Sequence, residues 1–198
     1  MSIDLPVIGS VIASGGSAKY VCDPLGYVHT DSNTGDGSPT KLMFTNIPQD
    51  YEYLLLRVAL HRGSSASQTP KLYFNNDVSS ANYKGRCEYQ NSYGSYSVSN
   101  ITSYFYYAFG SNFPSSSQTS ANVNAQILIF NYADSNTPTA VKIHGGGMYH
   151  RQSSVDQRIH WDFNGEWDNT AAVTEIDLEN TDYWGQNTNM NLLGIRSA

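Results

Sequence analysis

The chain has 198 residues, 39% of them hydrophobic and only 14% charged, with 11 Lys and Arg against 17 Asp and Glu for a net charge of −6. That balance carries no basic block and excludes sequence-independent binding to a phosphate backbone. No run approaches the roughly 20 apolar residues that cross a bilayer as a helix, and the length suits one domain, with or without an arm.

In chain order, the opening MSIDLPVIGSVIASGG places Asp4 and Pro6 where a signal peptide needs a basic head and an uninterrupted apolar run, so no leader is expected. Residues 1–40 read as an N-terminal arm and loop, with a strand over Val7 to Ala13, packed on the domain formed by 41–198. Asp31 to Gly37 is rich in oxygen ligands, but its glycines are not at the sixth position of a calcium loop and no glutamate closes twelve residues, so it reads as a linker. Lys41 to Thr45 is the next strand. Tyr51 to Arg62 has helix-like flanks in Pro48, Asp50 and Gly63, yet Leu54, Leu56, Val58 and Leu60 alternate with Tyr53, Leu55, Arg57 and Ala59, which predicts a strand. Lys71 to Phe74, Gly85 to Tyr89 and Thr102 to Phe109 follow.

Period-2 patterning is clearest in Asn122 to Asn131, where Val123, Ala125, Ile127 and Ile129 share one face, and it returns in Thr139, Val141 and Ile143. Val155 to Asp162 and Asn191 to Ile195 complete the strands, together with Ala172 to Glu179, whose Val173, Glu175, Asp177 and Glu179 should form a wet face. The linkers are rich in Ser, Asn, Gly and Pro. Many short strands with such linkers predict an all-β fold, an antiparallel β-sandwich of jelly-roll type. Its core should draw on Leu54, Leu56, Val58, Leu60, Ile127, Ile129, Ile143, Ile176 and Leu178.

Chemical motifs are scarce. Cys22 and Cys87 have no CxxC spacing and read as two free thiols. A G-x-S-x-G elbow is missing, so His144-Gly145-Gly146-Gly147 reads as a bent strand end and not as an oxyanion loop. His29, His61, His144, His150 and His160 fall into no zinc-binding order, although residues distant in sequence could still converge in the fold. Asp162, Glu166, Asp168 and Glu175 could supply a carboxylate pair for sugar chemistry. Trp161, Asp162, Glu166 and Trp167 could contact a glycan, but Asn164-Gly165 between them reads first as a hairpin turn. No catalytic residue, cofactor or metal ligand is assigned. Between Asn82 and Phe113 tyrosines sit among Ser, Asn and Gly, the mixture of adaptable contact loops, which marks Tyr89, Tyr93, Tyr96, Tyr104, Tyr106, Tyr107 and Phe109 as an expected interface.

Three phrases carry a resemblance. Phe44-Thr45-Asn46-Ile47-Pro48-Gln49 with Tyr51, Leu54, Leu56 and Arg57 is similar to the opening strand-turn-strand of small virion structural proteins of tailed phages, particularly those of cyanobacteria. Gly165-Glu166-Trp167 with Thr170, Ala172, Val173, Ile176 and Leu178 resembles their penultimate strand, and Asn191-Leu192-Leu193-Gly194-Ile195 their last. The resemblance implies a β-sandwich on the outer surface of the virion, made in the host cytoplasm. A capsid decoration, or cement, protein is the first expectation. Its partners would be the major capsid protein or other virion subunits and further copies of itself, a trimer being favoured, with neither nucleic acid nor membrane. The alternative is a tail-fibre tip that recognises host glycan through tyrosines and Trp161, Trp167 and Trp184; a glycan-cleaving enzyme is a third. The group is defined by no catalytic residue, so the resemblance implies none.

Overall fold

Leu54, Leu56, Val58 and Leu60 are all buried along one strand, so the apolar period of two, and not the helix-like flanks, decides the conformation of this segment. A computed structural model describes residues 20–29, 40–61, 70–91, 96–102, 105, 118–151, 154–180, 184–185 and 187–197. Eleven strands account for most of them: β1 (Tyr20–His29), β2 (Lys41–Thr45), β3 (Tyr53–His61), β4 (Lys71–Phe74), β5 (Tyr83–Asn91), β6 (Tyr96–Ile101), β7 (Gln118–Phe130), β8 (Thr139–Arg151), β9 (Ser154–Trp167), β10 (Glu175–Glu179) and β11 (Asn189–Ser197). The fold is all-β and its pairings are antiparallel.

One sheet has eight strands in the order β1-β11-β3-β7-β8-β9-β5-β6, and a second has three in the order β2-β10-β4. A jelly roll has eight strands in two sheets; here the described strands divide eight and three. Leu42, Phe44, Leu72, Phe74, Ile176 and Leu178 of the small sheet join Leu54, Leu56, Ile127, Ile129, Ile143 and Phe163 of the large one in a single buried cluster, the interior of a two-layer sandwich. All nine residues expected in the core are there.

Several elements depart from the alternation rule. Strand β1, at the end of the large sheet among the described residues, is interrupted by Pro24 and by a register shift before Gly26, which a strand paired on one side tolerates. Val7 to Ala13 and Asp31 to Gly37 lie outside the described residues. So does most of Thr102 to Phe109, of which Thr102 follows the end of β6 and Phe105 sits in a turn, fully buried against Phe74, Tyr83 and Phe163. Residues 172–174 precede β10, and the expected wet face is not one: Val173 and Asp177 are both buried, because Asp177 lies between Met43 and Tyr73 across the small sheet and Tyr73 is itself covered. His144 to Gly147 is the middle of β8, not a strand end.

Asn164-Gly165 makes no hairpin. Both residues lie inside β9, paired with Arg86 and Gly85 of β5. The glycine is needed for space, not for an unusual backbone: a Cβ at Gly165 would fall 2.5 Å from the Lys84 carbonyl oxygen and against the Phe163 ring, and one at Gly85 would meet the same ring. The Phe163 side chain therefore lies over two glycines on facing strands. Gly165→Ala is expected to cost about 1–3 kcal/mol by overpacking, read as a lower urea midpoint. Phe163→Leu in the same background should restore part of the loss, and an unchanged midpoint for Gly165→Ala would show that the ring has room to move.

Turns use asparagine. Asn46, Asn75, Asn76, Asn131 and Asn187 all have positive φ, so the Phe44 to Gln49 phrase turns at Asn46 (φ 56°) as well as through Pro48. Asn75 then acts as a strut, its Oδ1 accepting from the Thr174 and Glu175 amides and its Nδ2 donating to the Ala172 carbonyl. Asp77 is a second fixed point. It accepts from the Ser79 amide, Asn82 Nδ2 and Trp167 Nε1, and although burial works to raise its carboxyl, these hydrogen bonds hold it below the usual range.

Candidate functional site

Pairing register decides what the open face of the large sheet displays. Arg57, Gln126, His144, Asp162 and Glu88 are successive cross-strand partners on β3, β7, β8, β9 and β5. The neighbouring row on the same face runs Asn189, Ala59, Asn124, Gly146 and His160. Residues between the rows, Val58, Ala125 and Trp161, point into the core. Because Ala59 and Gly146 carry almost no side chain, the second row is low between taller neighbours, and an open groove of about 770 Å³ forms over it, lined by Arg57, Asn124, Gln126, His144, His160 and Asn189 among others. Gly146 cannot readily be filled, since a Cβ there would lie 2.9 Å from the Ile159 carbonyl oxygen.

At one wall of this groove His144, His160 and Asp162 meet. His144 Nδ1 is 2.8 Å from Asp162 Oδ1, and His160 Nε2 is 3.2 Å from Asp162 Oδ2. The two imidazoles meet edge to face, 4.9 Å between centroids. The Asp162 carboxyl is held below its usual range, first by the hydrogen bond with His144 and, against the opposing effect of burial, by the nearness of both imidazoles. The three side chains are 61%, 54% and 42% exposed, so solvent and solutes reach them.

Comparison of the chain with protein-family models, with curated proteins and with solved structures gives no match. What the site can do therefore follows from its own residues.

The expected glycan residues separate. Trp161 and Trp167 are buried, as is Trp184, so none offers a ring face to a sugar; their indoles fill the core instead. Asp162 is partly exposed between His144 and His160. Glu166 is exposed on the same face of β9, but four residues along an extended strand span about 13 Å, beyond the roughly 5–9.5 Å that separates a glycosidase pair. Asp168 pairs with Lys84, and Glu175 lies on the small sheet.

The expected tyrosine interface also divides. Tyr89 is half-buried against the core, and Tyr96 is 62% exposed with its hydroxyl donating to Glu88 Oε2 at 2.8 Å. Tyr93, Tyr104, Tyr106, Tyr107 and Phe109 lie outside the described residues. Cys22 is exposed and Cys87 buried, and neither forms a disulfide; burial pushes the Cys87 thiol up to about 11, which makes thiolate scarce near neutrality.

Proposed function

We propose that this chain is a non-catalytic structural subunit of a tailed-phage virion, a decoration protein on the outer surface of the head that bridges neighbouring capsid subunits. The observation that carries this reading is strand β6. Among the described residues it stands at the end of the large sheet with β5 as its neighbour, and it presents Tyr96 and Val98, 62% and 40% exposed, within the tyrosine-rich stretch of the sequence. An edge strand with exposed aromatic and aliphatic side chains is a ready contact for another protein surface. The resemblance of the Phe44 to Arg57 and Asn191 to Ile195 phrases to virion proteins supports the same reading.

Replacing Tyr96 and Val98 together by Ser tests it. Exposed substitutions of this kind usually change stability by less than about 0.5 kcal/mol, whereas loss of an interface hot spot removes about 2 kcal/mol or more, some thirtyfold in affinity. Copies of the variant per purified particle should therefore fall steeply while its thermal midpoint stays put. Particles without the protein should assemble and then break at a lower temperature. A second reading, a receptor-binding tail tip, is favoured by the groove, whose Asn, Gln and Arg side chains suit sugar hydroxyls. Normal incorporation of the double variant, a copy number in the tens and reduced adsorption to host cells would decide for the tail tip.

A further inference from the structure

We infer that His144, His160 and Asp162 form a binding site for a divalent late first-row transition ion of the zinc class, open to the groove. Three features carry it. The first is the donor set: two imidazole nitrogens and a carboxylate suit zinc and its neighbours, while calcium and magnesium require a shell of oxygens.

The second is geometry, since one ligand atom from each of the three residues lies within 4.8 Å of the other two. In a tetrahedral zinc site with bonds of about 2.0–2.2 Å, ligand atoms lie about 3.3–3.6 Å apart. Two of the contacts here are 2.8 and 3.2 Å, so small side-chain rotations that part each imidazole from the carboxylate admit an ion between them. These rotations are cheap because the side chains stand at the surface, while their backbones are fixed by the β8–β9 ladder, with His144 opposite Asp162 and His160 two residues before it on the same face.

The third feature is access. Gly146 is the β8 partner of His160 and brings no side chain over the cluster, so the coordination positions left by three protein ligands face the groove and its Arg57, Asn124 and Gln126. An ion there would be open to water or to a donor group of a bound molecule, as in sites with three protein ligands and one exchangeable position. These ligands are set by the β8–β9 register alone, so the site is independent of where the protein resides.

Calorimetric titration of the full chain with zinc chloride, repeated with cobalt chloride and followed by visible absorption, tests the site. One equivalent of either ion should bind, and calcium chloride should give no heat. His160→Ala and Asp162→Asn should each weaken zinc binding at least tenfold, while His61→Gln, which alters a described histidine outside the cluster, leaves it unchanged. Metal-free melting curves of all three variants check that they fold. Should a variant melt early, substoichiometric copper(II) added to the unaltered protein tests the same ligands, and should selectively broaden the His144 and His160 ring resonances. Absence of zinc binding, zinc affinity unaltered in both cluster variants, equal weakening in His61→Gln, or broadening spread over other histidines would each overturn the inference.

Discussion

Deletion of residues 191–198 is expected to leave a chain that does not fold cooperatively. Strand β11 is interior to the large sheet, hydrogen-bonded to β3 on one side and to β1 on the other, so the deletion also strips β1 of its partner. Leu192 goes from the core face, and Ile195, buried on the opposite face of the strand, goes with the half-buried Leu193. Each large aliphatic side chain lost from a core costs about 2–5 kcal/mol, against a total of about 5–15 for a domain, before the ladder itself is counted. Leu192→Ala is the graded form and should lower stability by about 2–5 kcal/mol in urea unfolding. A truncated chain that stays soluble and melts at the original midpoint would show that β1 and β3 close on each other without β11.

Asp177 should make the folded protein lose stability as pH rises from about 4 to about 6. Burial raises its carboxyl to about 6 from an ordinary 3.8, Glu175 reinforces the shift, and Lys41, whose Nζ lies 3.0 Å from Oδ1, opposes it. Between those values the folded chain holds a proton that the unfolded chain releases, so stability is greatest on the acid side and falls as pH passes through the folded value. A rise of roughly two units corresponds to about 3 kcal/mol. Asp177→Asn keeps the shape and removes the charge, and Lys41 is not stranded, since Glu175 and the Asn76 side chain are also near it. The difference in unfolding free energy between the unaltered protein and the Asp177→Asn variant should grow across this window to about 3 kcal/mol in favour of the variant, then stay level above it. The groups held below their usual range, such as Asp77, act in the opposite direction at lower pH and cancel in the difference. Parallel curves for the two proteins would refute the assignment.

Alternation in β3 and β7 was legible because each strand has one face on the core and one on solvent, so the pattern of residues and the pattern of burial coincide. It misled in β10, where Ile176, Asp177 and Leu178 are buried in succession and a carboxylate stands where the rule places an exposed one. Gly165 misled for another reason: a glycine that makes room for an aromatic ring looks, in sequence, like one that makes a turn. The cluster of His144, His160 and Asp162 was hidden because it depends on the register between β8 and β9. Arg151 pairs with Ser154, which continued unchanged would set His144 opposite Trp161; a register shift between Tyr149 and Arg151 sets it opposite Asp162 instead, and no residue pattern in the sequence marks that shift. With that shift included, His144 and Asp162 fall opposite each other and the pairs His144-x-Gly146 and His160-x-Asp162 become the readable signal.

Strand β1 pairs Tyr20 with Ser197, so one of the earliest described segments to leave the ribosome docks against the last. At about 5–20 residues per second, roughly ten to thirty seconds of synthesis separate the two, during which β3, β7, β8, β9 and β5 can assemble in sequence while β1 and the β11 side of β3 wait. For that interval the nascent chain presents an unfinished sheet edge, the kind of surface that chaperones hold and that other copies on the same polysome can capture. Pairing of β11 is thus the step that closes this edge, and slowing translation of the stretch that encodes β11 should lower the soluble yield without changing the finished protein.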